Sequence, residues 1–147
     1  MYGLVNYQLT GIQMGIQFGH AVVEYGLDNN SDLYQDWAKN HKTFIILNGG
    51  TTNINPNKLG TLNQHLLSLK DNGIICSPFY EPDLGDQLTA ICFIVDERVF
   101  NKEKYPDFNF TQVEFPFSQW TKQFGTEGDE LNRILFLRDF LKNFRLA

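Results

Sequence analysis

Tyr2-Gly3-Leu4-Val5-Asn6-Tyr7-Gln8-Leu9-Thr10-Gly11-Ile12 is the stretch on which the fold turns. Leu4, Val5 and Tyr7 are good strand formers, so residues 2–9 read as a first strand. Thr10 then stands where a helix N-cap belongs. Ile12, Ile16, Val23 and Leu27 recur at a helical period with Gly19 filling the gap, which predicts a helix over 12–27. Gly26, Asn29 and Asn30 end it.

The alternation continues along the chain. Ser31 caps a short helix over 32–40 that carries Leu33 and Trp37. Thr43-Phe44-Ile45-Ile46-Leu47 is an uninterrupted apolar run, the pattern of a strand buried on both faces. A glycine- and asparagine-rich loop follows, from Gly49 to Pro56. Leu62, Leu66 and Leu69 share one side of a helix over 59–72, with Gly73 at its C-terminal end. Residues 74–79 and 88–95 read as strands on either side of a turn-rich loop. The order β-α-α-β-α-β-β argues for an α/β sandwich with a partly parallel sheet. Thr126 is placed to cap a last helix over 127–145, with acids in its first turn, Arg138, Lys142 and Arg145 near its end, and a stripe of Leu131, Ile134, Leu137, Leu141 and Phe144.

At 147 residues the length fits one domain with a real core, and 42% hydrophobic against 20% charged residues argues against disorder. No apolar run is long enough to span a membrane, and the first residues lack the basic and apolar regions of a secretory signal. Two cysteines, Cys76 and Cys92, make neither a disulfide framework nor a zinc site, so packed thiols and a cytoplasmic location are expected. The formal charge is −5, and residues 1–95 hold four lysines, no arginine and eight acids. That balance disfavours sequence-independent binding to phosphate backbones, DNA included. Nine of the 13 phenylalanines lie in residues 100–147. Phe108, Phe110, Phe115 and Phe117 fall in extended, proline-punctuated chain, where they either wrap the core or offer a partner surface.

Two segments carry candidate chemistry. In the first, Gly11, Gly15 and Gly19 recur every four residues, which suggests helix-on-sheet packing or the close approach of a ligand. Gln13, Gln17, His20 and Glu24 form a polar stripe on the same helix. The glycine spacing fits neither a Walker A loop nor a dinucleotide fingerprint. His20, His41 and His65 lack metal-ligand spacing, and no metal or other cofactor is expected. The second segment is Glu81-Pro82-Asp83-Leu84-Gly85-Asp86-Gln87-Leu88-Thr89, which puts three carboxylates on a loop between two strands. Such loops are where α/β proteins place their sites. There, Asp83 can orient a water, accept from a ribose hydroxyl, or cap its own turn.

Together the two segments resemble the type-2 peptidyl-tRNA hydrolase family, the one typical of archaea and eukaryotes. Family members carry an early turn rich in glycine and lysine, leading into a helix with Q-x-x-H-A, which here reads Gln17-Phe18-Gly19-His20-Ala21. They also carry a D-x-G turn before the last sheet strand, here Asp83-Leu84-Gly85 followed by Leu88-Thr89-Ala90-Ile91. The resemblance covers roughly residues 2–96 and leaves 97–147 as a C-terminal extension packed on that core. It implies a three-layer fold with a four-stranded mixed sheet and helices on both faces. The chain departs from the family in two places: Thr10-Gly11-Ile12-Gln13 holds none of the family's lysines, and Gln87 stands where the family has threonine.

The activity implied is hydrolysis of the ester in peptidyl- or N-acyl-aminoacyl-tRNA. Asp83, His20 and Gln13 would be catalytic, with Gly11, Gln17, Asp86, Gln87, Thr89 and Arg98 binding the ligand. Arg98 is the nearest arginine in sequence to stand in for the missing lysine. The alternative is an inactive relative that binds or sequesters a nucleotide, a small nucleotide signal or an RNA end. The expected partner is tRNA or a small nucleotide, with neither membrane nor DNA, and a homodimer built by the last helix is compatible with either reading.

Overall fold

In the computed structural model, which describes residues 1–107 and 116–147, the opening strand β1 is Tyr2–Val5 and ends four residues before Leu9. The reason is Asn6, whose Oδ1 accepts from the N–H of Gln8 and turns the chain out of the sheet. Thr10 then caps helix α1 (Gly11–Asp28) with a reciprocal box: its side chain accepts from the Gln13 N–H, and the Gln13 side chain accepts from the Thr10 N–H.

The face that α1 buries is not the one its branched residues mark. Gln17, Phe18, Ala21 and Tyr25 are buried, whereas Ile12, Ile16, Val23 and Leu27 are exposed. The glycine ridge is also outside: a Cβ added at Gly11, Gly15 or Gly19 would meet nothing within 4 Å. Close approach of helix and sheet is arranged from the strand instead. A Cβ on Gly3 would lie 2.2 Å from the Phe18 ring, so the absence of a side chain there is what lets that ring lie against β1.

The second helix is shorter than its pattern suggests. α2 is Asp32–Asp36, capped by Ser31, and the chain continues as one wider π turn, Trp37–His41, before Lys42 turns it left-handed. Strand β2 (Ile45–Asn48) follows, then α3 (Thr61–Asp71), β3 (Cys76–Glu81), a 3-10 turn at Pro82–Leu84, and β4 (Gln87–Phe93). As read from the sequence, Leu62, Leu66 and Leu69 are the buried stripe of α3, and Gly73 takes the left-handed conformation beyond it.

The sheet is four-stranded and mixed, in the order β2-β1-β4-β3, with β1 parallel to β2 and antiparallel to β4. β2 is therefore an edge strand. Ile45 and Ile46 are only partly buried and Phe44 is 52% exposed, so the apolar run is not covered on both faces. Residues of α1 pack with Val5, Ala90 and Cys92 on one face of the sheet. Leu4 points the other way by strand alternation, and both Leu4 and Leu62 of α3 lie against Gly49. Helix, sheet and helix make three layers. Cys92 is buried and its Sγ donates to the carbonyl of Ala21; burial pushes its thiol up to about 12 and also raises that of Cys76. Cys92 is thus a packed thiol, whereas Cys76 is half-buried.

The chain forms two compact units: Met1–Ile94 with Phe144–Ala147, and Val95–Asn143. In the first, the final residues return to the sheet edge, where Leu146 bridges Leu47. The second contains α4 (Glu97–Phe100), α5 (Pro116–Phe124) and α6 (Gly128–Phe140). α6 stops before the predicted end, and its stripe Leu131, Ile134 and Leu137 is buried. Thr126 does not cap it; its hydroxyl donates to Glu130 instead. Of the tail phenylalanines read as extended, Phe108, Phe110 and Phe115 lie outside the described residues, while the backbone of Phe117 is helical within α5.

Candidate functional site

The two motif segments meet because α1 packs across β3 and β4, the strands that the carboxylate loop joins. Three side chains tie them into one line. The hydroxyl of Thr89 donates to Gln17 Oε1 at 2.6 Å, and Gln17 Nε2 donates to Glu81 Oε2 at 2.6 Å. The other oxygen of Glu81 accepts from the N–H of Asp83. The Gln17 bond and the Asp83 N–H hold the Glu81 carboxyl below the usual carboxylate range, with His20 lowering it further.

An irregularity in the sheet makes this line possible. The β3–β4 register shifts between Phe79 and Tyr80, so Phe79 faces Ala90 while Tyr80 faces Leu88. Thr89 is the extra residue. Ala90 belongs to the cluster under α1, and Thr89, its neighbour in sequence, also reaches α1. Strict alternation would send one of the two to the opposite face; the bulge re-aims Thr89.

His20 is exposed and its ring stacks on Phe79, with centroids 4.6 Å apart and planes 13° apart. Asp83 is exposed in the 3-10 turn. Among the described residues, neither the Asp83 carboxylate nor the His20 ring has a hydrogen-bond or ion-pair partner. Gly85 and Asp86 follow with φ of 67° and 58°. Asp tolerates this region better than most residues, and the Asp86 N–H donates back to the carbonyl of Glu81 to close the turn. Gln87 is exposed at the start of β4, opposite Glu81.

The other expected positions are occupied differently. Gln13 is exposed and spends its Oε1 on the Thr10 cap, leaving Nε2 as a donor. Gly11 is the exposed first residue of α1. Gln17 and Thr89 are 8% and 0% exposed and saturate each other, so both act on Glu81 rather than touching a ligand. Arg98 belongs to the second unit, where Asp96, Glu130 and the carbonyl of Phe124 take its guanidinium donors. Its charge is neutralised there.

One residue of the line and one beside it escaped the sequence reading. Glu81 was one of three loop carboxylates, with nothing to mark it as the one that links the segments. Asn6 is 3% exposed, and its N–H donates to the carbonyl of Thr89.

Among the described residues, no group of three or more His, Cys, Asp or Glu could hold a metal ion, and no helix is long and apolar enough to cross a membrane. No protein-family model matches the sequence, and no curated protein does.

Proposed function

We propose that this chain hydrolyses an acyl ester of the kind that joins a peptide or N-acyl-amino acid to the ribose end of tRNA. The observation that carries this reading is the Thr89–Gln17–Glu81 line, which fixes the turn of Asp83 against the helix that bears His20. Asp83 and His20 both have polar atoms left for a substrate and water. In this mechanism Asp83 accepts a hydrogen bond from the attacking water, and His20 takes its proton as the new C–O bond forms. The oxyanion is met by N–H donors, Gln13 Nε2 among them. Collapse breaks the bond to the ribose oxygen, which recovers the proton from the imidazolium. Glu81, held as an anion near His20, steadies that imidazolium while it lasts.

A second reading has its own observation. None of the residues gathered here is lysine or arginine, and Glu81, Asp83 and Asp86 lie within six positions. A site of that charge suits hydroxyls and base edges better than phosphates, and so favours holding a nucleoside end without cleaving it.

The test is release of tRNA from an N-acetyl-aminoacyl-tRNA at low salt, with Asp83→Asn alongside. Release by the wild type that the variant loses supports the hydrolase. No release from folded wild-type protein, with adenosine raising its melting temperature, moves the assignment to the binding reading.

A further inference from the structure

The outward face of α1 is apolar, unpartnered among the described residues, and unused by the site. Ile12, Ile16, Val23 and Leu27 are 80, 52, 62 and 74% exposed, while the opposite side of the helix is already packed on the sheet. A helix that is apolar on two opposite sides is a helix to be covered on both. We propose that a second copy of this chain covers it, α1 against α1, about a two-fold axis at Gly19.

Three observations select a copy of the same chain. The first is size. Gly11, Gly15, Gly19, Val23 and Leu27 follow one another at intervals of four and so form a single ridge, small in its first half and large in its second. A two-fold axis at Gly19 runs the partner ridge backwards. Leu27 then lies across Gly11 and Val23 across Gly15, with glycine against glycine at the centre. The open space over Gly11 and Gly15 receives the partner's Leu27 and Val23. The second is charge. The chain carries −5, so most of its surface repels another copy, but no residue of this ridge or of its Ile12–Ile16 flank is charged. Antiparallel pairing also sets the two helix dipoles head to tail.

The third is area. At roughly 100 Å² per branched side chain, the four exposed residues offer about 270 Å² of apolar surface per copy. Apolar atoms make up a little over half of an interface, so the whole contact is on the order of 1,000 Å² for the pair. That is the low end for a specific complex and sets a weak, concentration-dependent dimer.

Sedimentation velocity on the full chain, from low micromolar to near-millimolar concentration, tests this. The expected result is reversible dimerisation, weakened at least tenfold by Val23→Asp and by Gly15→Leu. Both positions are exposed, so circular dichroism should show both variants folded. In a Cys76→Ser background, Gly19→Cys should oxidise to a disulfide-linked dimer, because only an axis at that position brings the residue to its own copy. A wild type that stays monomeric throughout overturns the proposal, as does a dimer that both substitutions leave unchanged.

Discussion

Thr89 on β4 and Gln17 on α1 share a hydrogen bond of 2.6 Å across 72 positions of sequence, both of them buried. The hydroxyl donates, so Gln17 must receive it on Oε1 and is left to present Nε2 to Glu81. One buried threonine thus fixes which end of an amide faces the carboxylate, and through it the turn that carries Asp83. Thr89→Val keeps the shape and removes the donor. Leaving Gln17 Oε1 unpaired should cost about 1–3 kcal/mol in a urea titration. Thr89→Ser should recover most of that. A valine variant as stable as wild type would mean that the line does not hold the site.

Asp83 and Glu81 should separate kinetically under the hydrolase reading. Asp83→Asn removes the carboxylate that addresses water and should lower kcat about 100-fold or more. Glu81→Gln leaves Asp83 in place but loosens its turn, so it should lower kcat less and shift the pH–rate profile through His20. Equal losses with unchanged profiles would make the two carboxylates interchangeable and the assigned roles wrong. Stability carries a separate sign. The folded Glu81 carboxyl lies below its unfolded value of about 4.3, so its contribution is present above that pH and is lost as pH falls through the folded value. Glu81→Gln should flatten that acid limb.

Two glycines predict opposite outcomes. Gly3→Ala pushes a methyl into the Phe18 ring and should destabilise the protein by about 1–3 kcal/mol. Gly15→Ala adds a methyl in open space on a helix and should stabilise the monomer by up to about 1 kcal/mol. Thermal melts at low concentration check both, and a neutral Gly3→Ala would mean that helix and strand are not packed as closely as described.

The layer order was legible because each element carries its own signal. The Thr10 and Ser31 caps and the leucines of α3 read correctly from spacing. Each apolar run marked a strand, although β1 is shorter than its pattern and β2 lies at the edge rather than covered on both faces. The burial of α1 did not, because the helix has two apolar stripes and sequence alone cannot tell which one meets the sheet. The stripe with the larger branched residues was the outer one; Phe18 and Tyr25, with Ala21 and Gln17, made the inner one. Gly3 was unreadable for the same reason: its role exists only against a ring fifteen residues away. In the site, Gln17, His20 and Asp83 were visible as a motif. The Glu81 link was not, because it depends on a bulge that appears only when β3 and β4 pair.

In the second unit, Arg138 is 6% exposed and donates to the carbonyls of Arg98 and Tyr105 and to Asp107, with its guanidinium 5.1 Å from the Phe124 ring. Asp107 remains solvated, so most of the cost of losing the arginine falls on the two carbonyls. Arg138→Leu should cost about 2–4 kcal/mol, and Arg138→Lys less, since one ammonium reaches some of the same acceptors. Hydrogen exchange localised to residues 95–107 and 128–140 would register the loss. Unchanged protection there would show that the arginine is not what joins these segments.

His65 should give the stability part of a slope near neutral pH, in the same direction as the half-buried amino group of Met1, whose pKa burial lowers to about 6. The residue sits on α3, half-buried, with its ring edge-on to Phe144 at 4.8 Å. Phe144 leads into the terminal segment that docks on the edge of the sheet: Arg145 accepts from the Asn48 N–H, and the Ala147 N–H donates to Ile46. Burial holds the His65 pKa below its ordinary value. The unfolded chain, with a value of about 6.5, therefore binds the proton more readily between the two pKa values. Across that window stability rises with pH, and it declines as pH falls below about 6.5. The ring touches Phe144, so the loss should appear first where the terminal segment meets β2. Melting temperatures between pH 5.5 and 7.5 should fall on acidification in the wild type and fall less in His65→Gln. Identical slopes in the two proteins would assign the pH dependence to another group.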